Sequence, residues 1–176
     1  EGAPESAALG ISYGDTTGHR HMDLLDVQLF AFDRPFLTDL GYPQSWASVA
    51  RWEAHRATHN TVWSTVPNIE VGRLSGRGRL IRCLSFNGIQ ILEIEARRWH
   101  GELDESPTDL DSRPDVMSNA RWRQSGVNFR RLLALIETEE KGVVVVDLSR
   151  IQGGSEHWRT CRGLNGSFNS DDIKWT

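Results

Sequence analysis

The sequence predicts an antiparallel all-β protein, a sandwich of two packed sheets. Three observations carry that expectation. Apolar and polar residues alternate with period two in several stretches, as in Gln90–Ala96, where Ile91, Glu93 and Glu95 alternate with Leu92, Ile94 and Ala96. The turn-forming pairs Asn87-Gly88 and Gly153-Gly154 punctuate those stretches. A β-branched run, Val143–Leu148, is expected to be a buried strand.

In chain order, residues 1–10 are small and polar and read as a frayed linker, leaving 11–176 as the domain. Ser12–Gly18 is rich in turn formers and reads as a loop. A strand follows at Leu24–Phe32. There Leu25, Val27, Leu29 and Ala31 alternate with Asp26, Gln28 and Phe30, so one face is expected in the core and the other in solvent. Asp33-Arg34 before Pro35 suits a tight turn, and Phe36–Leu40 a returning strand closed by Gly41 and Pro43. Trp46–Thr58 fits either a helical stripe (Trp46, Val49, Ala50, Ala57) or a loop. After Pro67 a meander is expected, with Gly72–Gly78 as a turn-rich link and Leu80–Phe86 and Gln90–Ala96 as a hairpin about Asn87-Gly88. Gly101–Asn119 is an acidic loop without the spacing of a calcium loop. Asn128–Glu137 and Val143–Leu148 flank the turn Glu139–Gly142, and Trp158–Cys161 reads as a further strand. Asn165-Gly166-Ser167 is a sequon, meaningful only in a secreted eukaryotic protein.

Length and composition set outer limits. A chain of 176 residues suits one domain with a full core. Net charge is −4 and the isoelectric point about 5.9. That balance argues against a general nucleic-acid binder, which carries a basic surplus. No apolar run is long enough to span a membrane and no signal peptide is visible. Because Glu1 is not a start methionine, the chain reads as an internal or C-terminal piece of something longer. Two cysteines, Cys83 and Cys161, make no disulfide framework and read as free core thiols or one bridge.

The chemistry concentrates near the N-terminus, where four of the six histidines (His19, His21, His55, His59) lie within the first sixty residues. Residues i and i+2 of an extended chain share a face, so His19, His21 and Asp23 are able to point one way. Imidazole and carboxylate are ligands of a borderline cation such as zinc. Arg20, Arg51 and Arg56 are candidates to attract a polyanionic sugar, because guanidinium pairs bidentately with carboxylate and sulfate. Their plainer reading is a solvated face. Trp52 and Trp63 fit either sugar stacking or simple burial.

Gly18-His19-Arg20-His21-Met22-Asp23, the strand to Phe32 with its turn, Asp39-Leu40-Gly41-Tyr42-Pro43 and His59-Asn60-Thr61-Val62 together resemble the heparinase II/III-like polysaccharide lyases. Specific motifs cover residues 11 to 66, and the match to later strands is loose. The resemblance implies the supersandwich-like C-terminal β-sandwich of a protein whose N-terminal α/α toroid is missing here. The whole would cleave an anionic uronic-acid polysaccharide by β-elimination, with the groove between the two domains, in the periplasm or outside the cell. It implies zinc held by His21, Asp39 and His59, and His19 as a catalytic residue at the groove. The sequence departs from the family where Trp63-Ser64-Thr65 replaces the usual Val-Asp pair, and neither tyrosine takes the catalytic role that the toroid supplies.

One conflict is internal to this reading. A two-residue turn at Asp33-Arg34 sets Asp39 opposite Gln28, seven residues from His21. That length of strand spans about 23 Å, too far for shared coordination. Either a bulge offsets the pairing or Gly18–Asp23 folds back as a loop. Two other functions compete with the lyase. One is a metal-dependent oxygenase in a double-stranded β-helix, with His21, Asp23 and a distant His100 or His157 around iron. The other is a non-catalytic sugar-binding or scaffolding sandwich.

Overall fold

The computed structural model describes residues 7–14, 22–41, 53, 55–67, 74–100, 123–139 and 142–163. Among these the chain is nearly all strand, in antiparallel sheets consistent with a β-sandwich. Strands β1 (Ala7–Ile11), β2 (Val27–Ala31) and β3 (Arg34–Leu37) form one sheet in that order. Strands β4 (Val62–Thr65) and β9 (Glu156–Arg159) pair with each other. The long strands β5 (Leu74–Phe86), β6 (Ile89–His100), β7 (Arg123–Glu137) and β8 (Val143–Gln152) form a four-stranded meander. A short 3-10 helix, Arg56–Thr58, precedes β4. No described helix is long and apolar enough to cross a membrane.

The first sheet corrects two expectations. β1 takes up Ala7–Gly10, part of the segment expected to be a linker, by pairing Ala7 with Ala31 and Ile11 with Val27. The β2–β3 turn is Phe32-Asp33, one residue earlier than expected. Both residues have positive φ, 52° and 57°, the twist that a two-residue hairpin demands. A bulge between Leu29 and Phe30 then shifts the ladder, so that Leu29 faces Leu37. Continued past its end, this ladder sets Asp39 opposite Val27. The fold nonetheless brings the Asp26 and Asp39 carboxylates together at this end of the hairpin. It also overturns the solvent-facing placement of Asp26, which is fully buried.

The long hairpin turns at Asn87-Gly88 as expected, with φ of 43° and 73°. Of the expected link Gly72–Gly78, the part from Leu74 on is strand, because β5 runs through Gly76 and Gly78. Gly78 marks a close backbone approach: its N–H donates to Tyr13 O at 2.7 Å, and a Cβ there would lie 2.7 Å from Tyr13 Cβ. The run Val143–Leu148 is not buried, since Val144 and Leu148 are exposed on β8 at the edge of the sheet. Cys83 and Cys161 are free thiols, and both are exposed rather than core.

The core gathers Leu24, Leu25 and Val62 from the short elements against Ile94 and Ala96 of β6 and Val127 and Phe129 of β7. Truncating Phe129, fully buried in that cluster, costs about 3–5 kcal/mol on general grounds. This packing fixes the segment around residue 25 and the start of β4 against the large sheet.

Candidate metal centre

The segment Leu24-Leu25-Asp26 is a buried turn, and Leu25 sits there with φ of 63°, an uncommon state for a leucine. Hydrogen bonds over-determine it. Leu25 N–H donates to Ser12 O at 2.6 Å, Thr61 Oγ1 to Leu24 O at 2.5 Å, and Ser12 N–H to Asp26 O at 2.9 Å. Asn60 is the hub of the facing segment. Its N–H donates to Asp26 Oδ1 at 2.5 Å, its carbonyl accepts from Val27 N–H at 3.1 Å, and its Oδ1 accepts from Arg162 N–H at 2.5 Å.

Arg131 on β7 closes the network from below. Its guanidinium donates to both oxygens of Asp147 on β8, at 3.0 and 2.5 Å, and to the carbonyls of Leu25 and Asn60, at 2.5 and 2.9 Å. It is 2% exposed, so these contacts replace water for a buried cation. One side chain thereby fastens both loops of the centre to the large sheet. Thr160 Oγ1 adds a bond to His59 O at 2.6 Å, which holds the histidine's backbone from the β9 side.

Within this frame Asp26, Asp39 and His59 converge, and one ligand atom from each lies within 4.8 Å of the others. His59 Nδ1 is 3.0 Å from Asp39 Oδ2. His59 and Asp26 are wholly buried, and Asp39 is partly open. Burial pushes the Asp26 carboxyl above the usual range, against the opposing pull of the Asn60 N–H and of His59. Two carboxylates and an imidazole fit a borderline divalent ion in donor type. The 3.0 Å separation is close to the roughly 3.3 Å expected between ligands about 2.0 Å from a tetrahedral ion.

Of the residues singled out in the sequence, the structure brings Asp39 and His59 together. His19, Arg20, His21, Arg51 and Trp52 lie outside the described residues, as do the acidic loop and the sequon. Arg56 corrects an expectation. Its side chain is wholly buried, with Nη2 3.8 Å from Met22 Sδ and the guanidinium 5.2 Å from the Trp63 ring centre. Desolvation lowers its pKa to about 10. It is a packing element under Trp63, which stacks on Trp158 at 5.4 Å, and is not presented to a glycan. His157, a candidate ligand for the iron alternative, instead turns its Nε2 to Gly153 O at 2.8 Å.

Asp26 was missed. No local pattern flags it, because the bulged β2–β3 register, continued, sets Asp39 opposite Val27 and not Asp26. Comparison with curated proteins and with solved structures finds no match. The model of the heparinase II/III-like C-terminal family matches residues 8–170, nearly the whole chain, and with the all-β fold and the Asp39–His59 pair in place, the chain belongs to that family.

Proposed function

We propose that this chain is the zinc-stabilised C-terminal β-sandwich of a polysaccharide lyase that acts on uronic-acid polysaccharides in the periplasm or outside the cell. The observation that carries the reading is the 3.0 Å approach of His59 to Asp39, two family-motif residues twenty apart, inside a domain that matches the family from 8 to 170. Zinc would be held by His21, Asp39 and His59 and would supply a structural tie between loops.

The elimination needs the uronate carboxylate neutralised, a base for the C5 proton and an acid for the leaving oxygen. In this reading an α/α toroid in the parent supplies most of these groups, and His19 assists at the groove wall. Arg20 and Arg51 would attract the anionic chain, while Arg56 supports the wall from inside.

Two measurements test this. The purified chain, grown with zinc, should carry about one zinc; a metal-free wild type removes the centre. In the full-length parent, His21→Ala should lose zinc and melting temperature together. His19→Ala should keep both and lower turnover about 10²-fold or more. Reversal of the two effects would exchange the roles. No effect from either would leave residues 18–23 an ordinary polar loop.

A further inference from the structure

We propose that the cleft between β8 and β9 binds a small carboxylate ligand, with the Arg159 guanidinium as its anchor. The cleft has a volume of about 310 Å³ and is lined by Val62, Ser149, Ile151, His157, Trp158 and Arg159. Small-molecule sites run from about 300 to 1,000 Å³, so this one suits a single ring-sized ligand rather than a stretch of polymer. None of its residues belongs to the Asp26, Asp39 and His59 centre, and the proposal stands apart from the metal and lyase readings.

The strand register builds the cleft. β4 and β9 pair with Val62 opposite Arg159 and Ser64 opposite His157. Residues two apart on a strand share a face, so His157, Arg159 and Val62 lie on one side of this pair. On β8, Ser149 lies opposite Arg131 and Ile151 opposite Phe129. Cross-strand partners share a face, which turns Ser149 and Ile151 to the core side of the large sheet. Val62 is buried and Ile151 packs against the core, so the two give the cleft an apolar floor. Ser149, His157 and Arg159 are exposed and supply its polar rim. The His157 ring is held by its 2.8 Å contact from Nε2 to Gly153 O, and Nδ1 remains for a ligand.

Charge gives the cleft its preference. Arg131 holds both oxygens of Asp147, and Arg159 Nη2 donates to Oδ2 of the same carboxylate at 2.7 Å. Two guanidinium groups share one carboxylate, so the triad keeps a positive surplus. Arg131 is buried and spends its donors on Asp147 and on two carbonyls, so the surplus is presented by the half-exposed Arg159. Among the described residues Arg159 has no second acidic partner. Its planar fork spends one N–H on Asp147, and the remaining donors match a carboxylate in bidentate geometry. Ser149 Oγ reaches Asp147 Oδ1 at only 3.4 Å, which leaves its hydroxyl free to bond a ligand. A carboxylate on a hydroxylated ring uses all three features: the cation at Arg159, the polar groups of Ser149 and His157, and the floor of Val62 and Ile151. A simple carboxylate uses only the first.

The test is an amide NMR titration of the full 176-residue chain with D-glucuronate, glucose and acetate. D-Glucuronate should shift the signals of Ser149, His157 and Arg159 and saturate with a Kd on the order of 1 mM, while glucose leaves them in place. Acetate at least about tenfold weaker than D-glucuronate identifies the ligand as a sugar acid, and acetate of equal affinity identifies it as a simple organic acid. Equal shifts from glucose, or none from D-glucuronate at about 50 mM, overturn the proposal. Arg159→Met should weaken D-glucuronate at least about tenfold, and Arg159→Lys, which keeps the charge without the fork, should recover only part of that loss. An unchanged Kd in Arg159→Met removes the anchor and the proposal with it. Ser149→Ala leaves the Arg159–Asp147 pair intact, so it gives an answer even where the arginine variants fail to fold. It should weaken D-glucuronate about 2–10-fold, the size of one lost hydrogen bond, and leave acetate unchanged. No change for D-glucuronate would contradict the placement of a sugar acid in this cleft.

Discussion

The long sheet and the loop-bound region beside it use opposite means to reach one fold. In β5–β8, regular ladders run for ten residues or more, and charged partners meet across strands near the surface, as in Arg79–Glu95 at 2.9 Å and Arg130–Glu93 at 2.6 Å. In the region of residues 22–41 and 55–65, strands have five residues or fewer. Seven of the nine buried polar residues among those described lie there: Asp26, Arg56, Thr58, His59, Asn60, Thr61 and Ser64. Buried polar atoms must be hydrogen-bonded or coordinated. A network of them holds one arrangement, whereas a period-two sheet tolerates change on its open face. The difference teaches where precision is needed: the candidate ligands Asp26, Asp39 and His59 sit in the small region, and the large sheet anchors its loops through Arg131.

Breaking that anchor should give the largest effect. Arg131→Met removes the donors to Asp147, Leu25 O and Asn60 O at once. Breaking one side of a buried pair costs about 3–5 kcal/mol. Asp147 keeps Arg159 at 2.7 Å, so the lower end is expected. The check is the urea midpoint of the metal-free chain; a midpoint equal to that of the wild type would detach the two regions.

A smaller effect, and one with a pH signature, is expected at His55. Its Nδ1 accepts the Ala57 N–H at 3.1 Å and caps the Arg56–Thr58 turn, which requires the neutral ring. Burial first, then the charges of Arg56 and His59, lower its pKa below the ordinary 6.5. The neutral form is favoured on folding, so its contribution is full above pH 6.5 and is lost as pH falls through the lowered value. His55→Asn retains an acceptor and should flatten the stability slope just below pH 6.5, at a cost of about 0.5–1 kcal/mol. An unchanged slope would place the titration elsewhere.

The smallest effect belongs to the large sheet. Leu148 is 60% exposed on β8. Leu148→Thr should shift stability by less than about 0.5 kcal/mol, and a loss above about 2 kcal/mol would show that face to be covered.

These contrasts also explain what the sequence made legible. Asn87-Gly88 and the alternation of Gln90–Ala96 are local signals, and they located the central hairpin correctly. Asp39 and His59 were legible as motif residues. Asp26 was not, because period-two reading assigns a carboxylate between leucine and valine to solvent, and only the distant Asn60 contact accounts for its burial. Arg56 was misread for a related reason: a cation in a polar stretch looks solvated until Trp63 and Met22 are seen to cover it. Val143–Leu148 erred the other way, since composition does not reveal that β8 is a sheet edge.

The central claim is that an ion at Asp39 and His59 ties the small region together without altering the large sheet. Amide hydrogen exchange of the chain, with and without zinc, tests it directly. The account predicts slower exchange at Asp26, Val27 and Asn60, with β5 and β6 unchanged. Equal exchange in both regions with zinc in excess, or protection confined to β5 and β6, would contradict it.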